Sequence, residues 1–340
     1  MTLHATTSLS FVAIGALVAV PCDAGSQTAR PGGRTFAAGS WVEVARVADE
    51  AGRLLTDPIM IAGRGDTAYV YDAGTQELVA LGRTGALWRA GRAGKGPREF
   101  SSPVDLRVAP NGDIHVLDPD VSRITIVDLA GRVVDMRRVE ERLHRIVPRR
   151  FGWWAVSLGR PDLLIALNGD GRLAPPGAVR SPPDIASRHI LAREPFVVPM
   201  PNGGALVGFV WASRLIFVDA NGRVDVDMEG PEHVPFAEIR NYSISLPQKA
   251  TVQRVDPKAR VAARDITAND TMALVLFGGS TRDRGKLVDR YDLRTRRYVE
   301  SARLPRQPAM IRLVGNSLLA LERDPAPAVV WYEWRSHRAR

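Results

Sequence analysis

The side chains best suited to gripping a ligand gather in two short stretches. Lys95 and Arg98 lie in the run Gly91-Arg-Ala-Gly-Lys-Gly-Pro-Arg-Glu-Phe100, and Arg123 follows Asp118 closely. Asp72 ends a similar apolar run earlier in the chain, and Trp211 ends one later. Guanidinium forks and an ammonium beside carboxylates suit an anionic or saccharide-like ligand, because arginine can pair carboxylate or phosphate through two parallel hydrogen bonds. The same residues have a plainer use. Aspartates in turns accept hydrogen bonds from nearby backbone N–H groups, and surface arginines are often only solvated. The residue types leave both uses open.

Other chemistry has less to stand on. The glycines of residues 91–97 superficially match a phosphate-binding loop. However, Gly94-Lys95 is not followed by Ser or Thr, and a strand pattern follows where a helix is needed. His4, His115, His144, His189, His233 and His337 are far apart, with no pair at metal-ligand spacing. His115 alternates with Ile114 and Val116, as expected of a hydrogen-bonded histidine within a strand. There is no Gly-x-Ser-x-Gly nucleophile elbow. No catalytic residue and no metal ligand is therefore assigned. Calcium held in a central channel by aspartates or carbonyls is the one cofactor kept as an alternative.

Four short alternating runs fill Val104 to Ala109, Asp113 to Leu117, Arg123 to Asp128 and Arg132 to Arg137, with turn residues between them. The unit recurs. The pairs Gly65/Gly85, Gly112/Gly131, Gly152/Gly171 and Gly203/Gly222 are each spaced 19 or 20 residues apart and enclose two apolar runs. The turns Asp128-Leu-Ala-Gly131, Asn168-Gly-Asp-Gly171 and Asp219-Ala-Asn-Gly222 carry residues that accept positive φ. Two degenerate copies follow, pairing Thr271–Phe277 with Leu287–Tyr291 and Leu318–Leu321 with Val329–Trp334. Six units at a period that suits four-stranded blades predict an all-β, single six-bladed β-propeller.

The last unit supplies only three strands, whereas Trp41 to Val47 is a lone alternating strand. A ring cannot leave an edge open, so this N-terminal strand is expected to join the last blade and close it. With strands a to d running outward from the channel, the d-to-a and b-to-c connections share one face. Asp72, Lys95, Arg98, Asp118, Arg123 and Trp211 are expected together at that mouth, where loops on a rigid scaffold commonly carry function. Residues 172–194 and 223–263 are expected as long insertions.

The chain carries 46 Lys and Arg against 37 Asp and Glu, and 42 of the 46 are arginine. They are scattered rather than clustered, so net charge alone is the case for nucleic acid, and no nucleic-acid partner is expected. The apolar run Leu9 to Pro21 is too short to span a bilayer and suits the core of a signal peptide. The expected organisation is a signal peptide over 1–24, a flexible linker over 25–40, the propeller over 41–334 and a basic tail over 335–340. Cys22, the only cysteine, is the alternative lipidation site, and membrane attachment is expected only if it is lipidated.

At Gly94-Lys-Gly-Pro-Arg-Glu-Phe100, Asn111-Gly-Asp-Ile-His-Val-Leu-Asp118 and Arg123-Ile-Thr-Ile-Val-Asp-Leu-Ala-Gly131 the chain resembles six-bladed propellers of the NHL-like type, in particular exported bacterial ones that are often lipoproteins. The resemblance implies the fold and export. Related propellers include binding modules as well as lactonases, strictosidine-synthase-like enzymes and amidating lyases, and none of their catalytic residues maps onto this sequence. The expectation is an exported, secreted or periplasmic, non-enzymatic propeller that binds a small anionic or saccharide ligand, or a partner protein, at the mouth. A calcium-dependent hydrolase or lyase is the alternative.

Overall fold

Apolar residues alternating with small or polar ones, in runs of four to seven punctuated by Gly and Asx turns, build four-stranded antiparallel sheets six times over. The computed structural model describes residues 33–48, 54–245, 249–279 and 282–336. The expected signal peptide, Cys22, the first part of the expected linker and the end of the tail lie outside the described residues. The innermost strands are Pro58–Arg64, Asp105–Val108, Arg145–Pro148, Pro195–Pro199, Ala263–Ala268 and Met310–Val314. Each touches the next around the ring, and the sixth touches the first. Each sheet runs in sequence order from inside to outside, except the last.

In that last sheet, Gly39–Ala48 pairs antiparallel with Ala328–Ser336 as the outermost strand, so the two ends of the chain close the ring. The Trp41 ring meets Trp334 edge-on at 5.3 Å. Arg46, on the same strand, bonds Glu43 at 2.7 Å and reaches the buried Glu322 at 2.8 Å. Arg34 to Ala37 lie on the fifth blade. Ser301 donates its N–H to the Thr35 carbonyl, and Ala37 donates to the Ser301 carbonyl. Arg34 grips Asp289 with two nitrogens at 3.1 Å, bonds Glu232 at 2.7 Å and stacks over Phe277.

Middle strands such as Ile114–Asp118 and Trp153–Val156 are buried along their whole length, because neighbouring blades cover both faces. Outermost strands such as Val133–Arg138 alternate half-buried and exposed residues. The turns joining strands c and d repeat one device. Asp128 Oδ1 accepts from the N–H groups of Ala130 and Arg132, and Asn168 and Asp219 do the same two and four residues on. Gly131 has φ +81° in this turn, and a Cβ there would meet the Trp88 ring of the preceding blade at 2.8 Å. That position needs glycine twice over.

The two expected insertions begin as blade strands. Leu173–Val179 is the outermost strand of the third blade and Val224–Glu229 that of the fourth. Pro175, Pro176 and Gly177 disguise the first, but a solvent-facing edge strand tolerates proline because the missing N–H would face water. Beyond them come a short helix Pro183–Ala186 and a hairpin of Ile239–Ser245 with Lys249–Val255, which the sequence showed only as polar chain. Among the described residues no helix is long and apolar enough to cross a membrane.

Candidate functional site

The six residues expected at the mouth do not meet at one point. Asp72 is fully buried, and its carboxylate accepts the N–H groups of Thr56 and Asp57 at 2.7 Å and of Gly74 at 3.0 Å. Asp118 holds the equivalent place one blade on, accepting from Ser101 at 2.7 Å and Ser102 at 3.2 Å. Each aspartate ends strand b and latches the chain arriving from the previous blade. Arg123 spends its guanidinium on the carbonyls of Gly96 at 2.9 Å and Glu99 at 2.6 Å, fixing the glycine-rich loop. Lys95 and Arg98 are exposed. Lys95 and Arg123 border a shallow groove with Met136 and Arg138 of the outermost strand, at the rim of the second blade rather than the axis. Trp211 lies between strands b and c of the fourth blade, its indole Nε1 shielded and without a partner.

The concave site on this face is the mouth of the central channel, a cavity of about 460 Å³ reached by residues of all six innermost strands. Its charged walls are Asp105, Arg107, Arg145, Glu194, Arg264, Asp265 and Arg312. Two of the carboxylates are built in. Asp105 Oδ2 accepts from Ile146 N of the next blade at 2.8 Å, and Asp265 Oδ2 accepts from Ile311 N at 2.8 Å in the same relation. Innermost strands of adjacent blades share no backbone ladder, so these aspartates supply the missing link between them.

Each buried aspartate also holds an arginine. Arg107 Nε is 3.1 Å from Asp105, and Arg312 Nη1 is 2.5 Å from Asp265. Arg312 Nε is buried without a partner. Burial pushes the Arg312 pKa down; Asp265 opposes this, and the neighbouring Arg107 adds to it. The guanidinium nonetheless stays charged, since arginine does not lose its proton in proteins. At the rim Arg145 donates to the carbonyl of Val104 at 3.0 Å and stands 4.0 Å from Glu194, while Arg264 is exposed. Arginines outnumber carboxylates by one in this wall, four to three.

Such a set can recognise an anionic or zwitterionic ligand through charge-assisted hydrogen bonds. The sequence reading missed it although a signal was there. Each innermost strand faces the channel, so a charged residue inside one, as in Val104-Asp-Leu-Arg-Val108 or Met310-Ile-Arg-Leu-Val314, marks the axis. His115 packs away from this site. It is buried, accepts the Trp153 indole N–H on Nδ1 at 2.8 Å, and has its pKa pushed down to about 4 by desolvation. Among the described residues no group of three or more His, Cys, Asp or Glu side chains is arranged to hold a metal ion.

The chain matches no protein-family model, and no curated protein is significantly similar to it. Solved structures do superpose on it. A Bacteroides fragilis protein described as exported gives a TM-score of 0.58 at 9% identity, covering 88% of this chain and 95% of that one. The β-propeller domain of Cps50 (Swd1) from Myceliophteria thermophila gives 0.50 at 10% identity, covering 86% and 99%. The WD40 domain of Pan2 from Neurospora crassa gives 0.50 at 7% identity, covering 91% and 99%. At such identities the likeness is one of fold, and the chain is a six-bladed β-propeller.

Proposed function

We propose that the protein is an exported binding propeller of the NHL-like type that holds a small anionic ligand at the channel mouth. The observation carrying this reading is the cavity of about 460 Å³ walled by Arg107, Arg145, Arg264 and Arg312. It has the size of ordinary small-molecule sites, and it combines apolar residues with a few convergent polar groups. The ligand's carboxylate or phosphate meets Arg145 and Arg264 at the rim and the Arg107–Arg312 pair below. Lys95 and Arg98, exposed on the same face, raise the positive potential outside the mouth and steer the ligand in. Signal-peptide cleavage and export belong to this reading and rest on the apolar run Leu9 to Pro21.

The test is titration calorimetry with glucuronate, citrate and inorganic phosphate at low salt. At least one binds, and Arg145→Ala with Arg264→Ala together weakens it roughly tenfold while the melting temperature stays within a few degrees. Lys95→Ala with Arg98→Ala slows association at low salt and changes affinity less. If none of the three anions binds, or the rim double variant binds as well as the parent, the reading fails.

A further inference from the structure

A second cavity, of about 410 Å³, lies between the fifth and sixth blades, lined among others by Trp41, Met272, Leu274, Val288, Ala302 and Trp334. Met272, Asn316 and Ser317 border it at the turns joining strands a and b, so it opens on the face opposite the channel mouth. Its origin is in the ring closure. In the first blade, the register position after the strand-d bulge is Trp88, which packs over the c-to-d turn of the second blade and donates its indole N–H to Leu129 O at 2.9 Å. The same register position in the fifth blade is Glu300. The sixth blade has no c-to-d turn to cover, because its strands c and d come from opposite ends of the chain. The turn that Trp88 covers in the second blade thus has no counterpart at this interface, and the small residues Ala302 and Ser317 on its walls leave the space open.

We propose that this cleft is a binding site for an uncharged aromatic small molecule, seated against the wall that the Trp41 and Trp334 indoles form together. The two rings stand at 71° to one another, which offers one face and one edge to a flat ligand. Met272 adds a polarisable thioether to the wall. The rim is neutralised from within. Arg290 pairs with Glu300 at 2.9 Å and Glu333 with Arg83 at 3.6 Å, so no free charge asks for a counter-charge on the ligand. Asn316 and Ser317 leave polar atoms at the edge for one hydroxyl or amine of the ligand. Trp41 belongs to the strand that closes the ring, so occupancy strengthens the closure and raises the melting temperature.

The experiment uses N-phenyl-1-naphthylamine, an uncharged fluorescent aromatic amine, with the folded chain. Saturable binding of one probe per protein at micromolar affinity is expected, with blue-shifted emission and a raised melting temperature. Ala302→Phe, and separately Ser317→Trp, fill the cleft and weaken the probe roughly tenfold or more, whereas the channel double variant Arg145→Ala/Arg264→Ala binds it like the parent. Without any cleft-filling variant, the indole N–H resonances of Trp41 and Trp334 shift on titration while those of the other tryptophans do not. Absence of saturable binding, unchanged binding in a folded cleft-filling variant, or shifts at other tryptophans would overturn the proposal.

Discussion

Single buried polar side chains hold this fold at points where its strands cannot pair. Asp118 takes the N–H groups of Ser101 and Ser102, so Asp118→Ala leaves both donors without their acceptor in a shielded place. A loss of about 1–3 kcal/mol is expected in urea unfolding, without loss of anion binding at the channel. His115 makes stability depend on pH. The unfolded chain takes up the proton near 6.5, but burial holds the folded histidine neutral down to about 4. Its contribution is whole above pH 6.5 and is lost as pH falls from there towards 4, by up to about 3 kcal/mol. His115→Gln keeps an acceptor for Trp153 and flattens that slope; equal slopes in parent and variant would refute the assignment. The sequence offered Asp72 and Asp118 either as ligand residues or as acceptors of loop N–H groups, and His115 as a hydrogen-bonded histidine within a strand. Which partners they take could not be read there, because Ser101, Ser102 and Trp153 arrive from other loops and blades.

Among the elements, the strand Gly39–Ala48 decides whether the ring is closed. It was legible because its alternation had no hairpin partner nearby, while the last blade lacked a strand. The preceding residues were expected as linker, yet from Arg34 on they are bound to the fifth blade, since composition rich in Gly, Ser and Ala hides a single well-placed arginine. The Arg34 side chain is 8% exposed and that of Asp289 2%. Arg34→Ala thus strands a buried carboxylate and is expected to cost about 3 kcal/mol, with faster amide exchange at Thr35 and Ala37 as the local readout. Exchange confined to its parental rate would show that the segment is held by backbone pairing alone. The outermost strand Leu173–Val179 escaped the sequence reading for a related reason. Its pairing tolerates proline at the edge, so the local signal is that of a loop.

Across the whole molecule, charge is arranged around an axis. Asp105 and Asp265 sit three blades apart in a ring of six, each tying its own blade to the next and each neutralising an arginine that lines the channel. Asp265→Ala removes the partner of Arg312 and the acceptor of Ile311 together. The expected cost is about 3–5 kcal/mol in thermal or urea unfolding, larger than for a surface ion pair such as Arg132–Asp128. Equal costs for the two would mean that the channel is wetter than its burial suggests.

The sequence by itself determined the blades, their turns, their number and the way the ring closes. Alternation with period two and Asx-Gly turn chemistry act over a few residues, so the information is local and repeated. Only the tertiary structure decided which charges meet. Arg107, Arg145, Arg264 and Arg312 come from four different blades and share a cavity because innermost strands converge on one axis. The cleft beside Trp41 and Trp334 likewise exists only where the two ends of the chain are brought together, since packing between blades joins residues that no local pattern relates.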